Sequence, residues 1–259
     1  MWDFLKKSLR FIYSLYAFLV FFITGFVTLI YYILISPLPN NTRLRWVYAY
    51  NRIWFKTWGY LTGFIFDIRG ESYINRKETY VLMANHVNIL DIFTTASHIR
   101  LPFMPLAKKE VYKVPILGQL VGLNAIPVDR SSPESRKESM KRMVEKMMTG
   151  TSILIFPEGT RNRTGQPLKN FYDGGFRLAI EAQKPIIPIL LLNTRTLQPV
   201  NSVFLQPGRI RMDFLEPIDT QGMSLDDLPA LKARIRKLMY EHIVKEDKSF
   251  KDFSPSEQE

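Results

Sequence analysis

The sequence predicts an α/β fold, with strands alternating with helices, preceded by an N-terminal hairpin of two helices. Three observations carry that prediction. From residue 64 onward, short apolar runs alternate with longer amphipathic ones, the pattern of sheet and helix layers. The 259 residues are 46% hydrophobic, enough for one sizeable globular domain with a segment to spare. No charged residue occurs between Phe11 and Thr42.

Taken in order, the first element is the apolar run Phe11 to Ile35, flanked by Lys6, Lys7 and Arg10. As a helix it extends about 37 Å, enough to cross a hydrocarbon core of about 30 Å with some tilt. It is too long for a signal peptide, and Ile35-Ser36-Pro37-Leu38 lacks a small-x-small cleavage pattern. Next, Arg43 to Phe64 sets Trp46, Tyr50, Trp54, Trp58 and Leu61 at helical spacing among Arg43, Arg45, Arg52 and Lys56. That mixture suits a helix lying at the lipid–water boundary. Basic residues flank the apolar run on both sides, so the positive-inside rule gives no orientation. A hairpin dipping into one leaflet, with both ends on one face, removes that conflict; a single span is the alternative.

Beyond residue 64, Phe64–Arg69, Tyr80–Ala84, Phe103–Leu106, Ala125–Val128, Ser152–Phe156, Ile186–Leu192 and Ile210–Leu215 read as strands. Ile89–Ser97 and Gly174–Gln183 read as helices. Another opens with Ser132 as cap and Pro133 in its first turn and stops at Gly150. Its Met140, Met143, Val144 and Met147 form a core-facing stripe. Leu225–Lys245 is an amphipathic helix with Leu228, Leu231, Ile235, Leu238 and Met239 on one side. The expected division is 1–63 for the membrane-anchoring hairpin, 64–247 for the α/β domain and 248–259 for a loose polar tail.

The net charge of +11 and pI near 9.7 suit an anionic partner, such as nucleic acid, anionic lipid headgroups or phosphorylated substrates. The long apolar segment and the lack of any nucleic-acid motif argue against nucleic acid. With no cysteine there is no disulfide framework, no thiolate metal site and no cysteine nucleophile. Three isolated histidines make no zinc motif.

The most pointed cluster is Asn85-His86-Val87-Asn88-Ile89-Leu90-Asp91, directly after an apolar strand. Neutral imidazole is the commonest general base near pH 7, and a carboxylate at its second nitrogen fixes the tautomer. Five residues along a helix leave two side chains about 140° apart. If His86 and Asp91 meet, His86 therefore lies in the turn ahead of the helix and Asp91 in its first turns. Phe156-Pro157-Glu158-Gly159-Thr160-Arg161 likewise follows a strand, and Ile126-Pro127-Val128 ends in Asp129-Arg130. Ligands of open α/β sheets bind beyond strand carboxyl ends. Arg130 and Arg161 are candidate phosphate clamps, and Gly159 would let the backbone approach a ligand and leave an N–H free. Lys108, with Lys109 and Lys113, makes a basic cluster at another strand end. Each of these also has an ordinary surface reading. His98 and His242 read as structural or solvent-facing.

In these motifs the chain resembles the 1-acylglycerol-3-phosphate acyltransferases. His86 and Asp91 match the family's H-x4-D motif, and Phe156–Arg161 matches F-P-E-G-T-R. Ile126–Arg130 resembles the arginine-bearing second motif, and Lys184-Pro185-Ile186-Ile187-Pro188 the proline-flanked fourth. Ala107-Lys108-Lys109-Glu110 with Pro115 and Gly118 also fits. Asp173 departs from the basic residue often found before Gly174. The resemblance covers roughly residues 64–217. It implies a glycerol-3-phosphate acyltransferase-like mixed sheet flanked by helices, preceded by the two-helix membrane anchor. It implies acyl transfer from acyl-CoA or acyl-carrier protein to the sn-2 hydroxyl of lysophosphatidic acid, with His86 as base and Asp91 orienting it. Lys108 and the Gly159 N–H would stabilise the oxyanion, Arg130 and Arg161 would hold the phosphate, and Glu158 and Thr160 would shape the phosphate site. No metal and no cofactor beyond the thioester co-substrate is expected. The expected partners are the lysophospholipid, the thioester donor and a bilayer with anionic lipids. The expected location is the cytoplasmic face of an inner or plasma membrane. Another lysolipid acceptor, such as lysophosphatidylglycerol or lyso-ornithine lipid, is the alternative, as is a non-catalytic phospholipid carrier.

Overall fold

The structure, a computed structural model, describes residues 2–113, 118, 122, 125–128 and 132–250. Two helices come first, α1 (Trp2–Ile35) and α2 (Asn40–Leu61), joined by a turn containing Pro37 and Pro39, where proline stops helix propagation. Tyr13 Oη donates to the Thr62 carbonyl (2.5 Å), Trp58 Nε1 to the Ala17 carbonyl (3.0 Å), Trp54 Nε1 to Thr24 Oγ1 (2.9 Å) and Tyr32 Oη to Asn51 Oδ1 (2.6 Å). Partner numbers fall along α2 as they rise along α1, so the pair is an antiparallel hairpin. Among the described residues only α1 is long and apolar enough to cross a membrane, from Phe4 to Ile35.

The rest is a seven-stranded mixed sheet in the order β1-β7-β6-β2-β5-β3-β4. Its strands are β1 (Phe64–Arg69), β2 (Val81–Ala84), β3 (Phe103–Lys108), β4 (Ile126–Val128), β5 (Ser152–Ile155), β6 (Ile186–Leu192) and β7 (Gly208–Phe214). All seven fall within two residues of the sequence expectation. The five strands β6, β2, β5, β3 and β4 run parallel, while β1 and β7 at one edge run the other way, β7 pairing antiparallel with β6. Every residue of β2, β5 and β6 is buried, as continuous apolar runs require when both faces are covered.

The covering helices are α3 (Ile89–His98), α4 (Pro133–Met148), α5 (Gly174–Ala182), the single turn α6 (Thr194–Leu197) and α7 (Leu228–Glu246). Val81, Met83, Leu190 and Leu192 face α4, α5 and α7 through Met147, Phe176, Ala179, Ile235 and Met239. Leu82, Ala84, Ile189 and Leu191 face the other way, toward the α3 side, where right-handed β2-α3-β3 crossover puts that helix. The hairpin lies outside α3. Phe93 of α3 sits among Phe21 (5.3 Å), Phe55 (4.9 Å) and Trp58 (4.8 Å).

Ser14 of α1 accepts from the Leu205 N–H (2.8 Å), just before β7, and Tyr13 meets Thr62, just before β1. Both strands begin at the edge where β2, β5 and β6 end. The first three turns of α1 therefore reach past that edge, exposing Phe4, Leu9 and Phe11 beside exposed Val203 and Phe204.

Three expectations change. Trp54 and Trp58 are buried, because their indole N–H groups find partners on α1; Trp46 and Leu61 are exposed. On α7 the buried stripe is Leu228, Leu231, Ile235, Met239 and Ile243, with Leu238 turned outward. The chain also stays packed to residue 250: Lys248–Phe250 forms a 3-10 turn that buries Phe250 under the Arg195 guanidinium.

Candidate active site

At the carboxyl end of β2, Asn85 extends the sheet with its side chain. Its Nδ2 donates to the Leu191 carbonyl (3.0 Å) and its Oδ1 accepts from the Leu191 N–H (2.7 Å). His86 follows in the turn. Asn88 caps α3, accepting from Leu90 N–H (3.0 Å), while its Nδ2 donates to the Thr194 (2.8 Å) and Gln198 (3.1 Å) carbonyls. Asp91 completes the capping box by accepting the Asn88 N–H (2.8 Å). The same oxygen accepts the Val87 N–H and lies 3.0 Å from His86 Nδ1. The strand-turn-helix placement expected from the five-residue spacing is therefore present. A proton held on Nδ1 by this fully buried carboxylate leaves Nε2 as the ring's acceptor.

The loop after β5 holds His86 from the other side. Phe156 to Gly159 is a tight turn closed by the Gly159 N–H on the Phe156 carbonyl (2.9 Å), with Pro157 second and Gly159 fourth, as type I turns favour. Glu158 points inward and is fully buried. Its Oε1 accepts the His86 N–H and its Oε2 the Lys169 N–H, both at 2.9 Å. Asn162 N–H donates to the His86 carbonyl (2.6 Å). Both backbone polar groups of His86 are thus fixed by one loop, and the Phe156 ring stacks on the imidazole at 4.2 Å. Burial pushes the Glu158 carboxyl above its ordinary range, against the pull of the two amides.

The predicted site residues divide accordingly. His86 and Asp91 meet. Glu158 lies beneath the site as a brace, with both oxygens occupied by backbone. The Gly159 N–H is committed to Phe156, so the free oxyanion donor expected there is absent; the turn that gives Gly159 its positive φ of 73° also consumes its amide. Thr160 is exposed and accepts from Lys169 Nζ (2.6 Å). Arg161 is exposed, next in sequence to the Asn162 that grips His86. Lys108 is exposed at the end of β3, two strands from β2, about 10 Å across the sheet. Arg130 lies outside the described residues. Sequence reasoning missed Asn162, Lys169 and Arg195. Arg195 donates to the Thr164 (2.7 Å) and Gln166 (3.3 Å) carbonyls and so braces the Asn162 loop. Of the other histidines, His98 is buried against Phe66 and hydrogen-bonded to Ser97, while His242 pairs with Asp213 at 2.7 Å.

The chain has relatives among known proteins. Residues 65–192 match the Acyltransferase family model. A 1-acyl-sn-glycerol-3-phosphate acyltransferase of Salmonella typhimurium is 32% identical over 201 residues, 74% of this chain and 81% of that protein. The chain belongs to the 1-acyl-sn-glycerol-3-phosphate acyltransferase family. Family members so named in Cocos nucifera (29% identical, 90% of this chain, 75% of that one) and, as the alpha form, in Mus musculus (32%, 70% and 64%) also match. This chain thus spans less than two thirds of the mouse acyltransferase. The crystal structure of the Thermotoga maritima acyltransferase PlsC superposes with a TM-score of 0.75, covering 92% of this chain and 96% of that one at 20% identity. That likeness shows the mixed α/β fold.

Proposed function

We propose that this chain transfers a fatty acyl group from a thioester donor to the sn-2 hydroxyl of lysophosphatidic acid, yielding phosphatidic acid. The observation that carries the proposal is the His86–Asp91 contact at 3.0 Å, with His86 gripped at both backbone groups. His86 Nε2 takes the hydroxyl proton as the oxygen attacks the thioester carbonyl carbon. Asp91 stabilises the imidazolium that forms. The tetrahedral oxyanion collapses, the C–S bond breaks, and the leaving thiolate recovers the proton from His86. The thioester is a co-substrate, and no other cofactor enters the reaction. Arg161 is assigned to the acceptor's phosphate, for which guanidinium is the matching donor.

The acceptor reaches His86 from a bilayer. Residues 1–63 serve as a monotopic anchor in one leaflet, on the cytoplasmic face of an inner or plasma membrane. Support comes from the antiparallel hairpin and from the exposed apolar turns of α1 at the sheet edge where His86 lies. Purified protein assayed against a panel of lysolipids with acyl-CoA and acyl-carrier protein tests the assignment. Transfer to lysophosphatidic acid, abolished in His86→Ala with membrane binding intact, is the expected result. Retained activity in that variant would remove His86 as the base, and preference for another lysolipid would replace the acceptor.

A further inference from the structure

The α6 turn stands between the two loops that hold His86. Its entry residue, Asn193, takes a left-handed conformation with φ 66°, which asparagine tolerates better than most side chains. The Thr194 and Gln198 carbonyls accept from Asn88 Nδ2 (2.8 and 3.1 Å), and the Asn88 backbone N–H rests on Asp91. That is the first loop. Arg195 reaches the second, donating from Nη1 to the Thr164 carbonyl (2.7 Å) and from Nη2 to the Gln166 carbonyl (3.3 Å).

The second loop folds around Asn162, which is fully buried. Its Nδ2 donates to the Gln166 carbonyl (2.9 Å), and its Oδ1 accepts from the Thr164 N–H (3.0 Å) and hydroxyl (2.6 Å). Arg195 therefore grips the same two residues that orient Asn162, whose own N–H fixes the His86 carbonyl at 2.6 Å. The end of the chain in turn seats Arg195. Asp247 accepts the Asn193 N–H (3.0 Å) and the Ser249 N–H (2.8 Å), and the Ser249 and Thr196 hydroxyls lie 3.1 Å apart. The buried Phe250 ring covers the guanidinium at 5.3 Å, within cation–π range.

We propose that Arg195, seated by the turn at 247–250, is a positioning residue for His86. It ties the loop that carries Asn162 to the turn that anchors Asn88, so the end of the chain tunes the rate of proton transfer without touching substrate. Two carbonyls at fixed spacing suit a rigid guanidinium fork, whereas a lysine ammonium is one point on a flexible stem. A misplacement of about 1 Å can cost roughly a hundredfold in rate. The inference rests on the acyltransferase reading above.

The test compares acyl transfer to lysophosphatidic acid by the wild type, Arg195→Gln, Arg195→Lys, Phe250→Ala and the Arg195→Gln/Phe250→Ala double variant. Ile235→Val, in the buried stripe of α7, controls for lost stability. Arg195→Gln should lower kcat about tenfold and leave both KM values within about twofold. Arg195→Lys should recover part of that loss. Phe250→Ala should lower kcat less, and the double variant should be no slower than Arg195→Gln, because both changes act through one guanidinium. Ile235→Val should lower the unfolding midpoint and leave kcat unchanged. If Arg195→Gln does not fold, Arg195→Lys and Phe250→Ala carry the same split of kcat against KM. A raised KM for the lysolipid with kcat intact would make Arg195 a substrate contact and overturn the proposal. Additive losses in the double variant, or a kcat loss no larger than the control's, would also overturn it. Nuclear magnetic resonance of isotope-labelled histidine rings, in detergent, gives a readout independent of turnover. The His86 signals, assigned by their loss in His86→Ala, should move in Arg195→Gln while those of His98 and His242 hold. Unmoved His86 signals refute the proposal. A wild type inactive with every lysolipid and thioester would instead refute the acyltransferase reading, and the resonance result would still decide this one.

Discussion

Glu158 is the residue on which the candidate site's geometry most depends. It accepts two backbone N–H groups in a fully buried position, a task only a carboxylate performs with both its oxygens. In Glu158→Gln one oxygen becomes an amide that faces a donor, leaving a buried N–H unpaired at a cost of about 2 kcal/mol. The expected outcome is a lower unfolding midpoint in detergent together with a kcat reduced at least tenfold, KM for either substrate changing less. Asp91→Asn should act differently. Asn88 still caps α3, so stability falls modestly, while an amide at Nδ1 favours the wrong imidazole tautomer. Its kcat should drop by orders of magnitude with little change in unfolding midpoint, and comparing the two variants separates bracing from chemistry. The His86–Asp91 pair was legible because its spacing admits contact in one local conformation only. Glu158, Gly159 and Lys169 were not, since a loop sequence does not say which side chains turn inward or which amides the turn consumes.

At the scale of elements, α3 is held by aromatic packing as much as by its cap. Phe93, two residues beyond Asp91, touches rings from both hairpin helices. Phe93→Ala should cost about 3 kcal/mol, the low end for a large-to-small change at a partly buried ring. It should also lower kcat by loosening the helix that carries Asp91; calorimetric unfolding and steady-state kinetics check the two effects. The strands were legible because buried parallel strands are short unbroken apolar runs. Helix α6 was not: it is one turn, entered through Asn193 in a left-handed conformation. The α2 tryptophans were misjudged because an aromatic stripe beside basic residues looks the same against lipid as against another helix. Indole N–H groups bonded to Ala17 and Thr24 decide it.

For the whole molecule, His98 is one group that makes the fold sensitive to acid. Burial pushes the His98 imidazole down to about 4, against a Thr94 backbone hydrogen bond that raises it; Lys56 and Arg100 add to the lowering. In the unfolded chain the group titrates near its ordinary 6.5. Between these values the unfolded state binds the extra proton, so stability is full above about 6.5 and is lost as pH falls toward 4. Urea midpoints at pH 7 and pH 5 should fall for the wild type and fall less for His98→Gln. A His98→Gln variant as acid-sensitive as the wild type would place the sensitive group elsewhere.

The bracing of His86 has a consequence for how the protein is made. The Glu158 contact spans 72 residues of chain, and the Asn85 contacts with Leu191 span 106. During synthesis α1 leaves the ribosome while the sheet is still incomplete. β2 gains its two neighbours, β5 and β6, only much later. A chain halted before residue 186 carries His86 and Asp91 but lacks the strand that seats Asn85. Pairings this distant in sequence also form slowly. The apolar helix α1 is therefore complete well before the chain can seat His86 for chemistry.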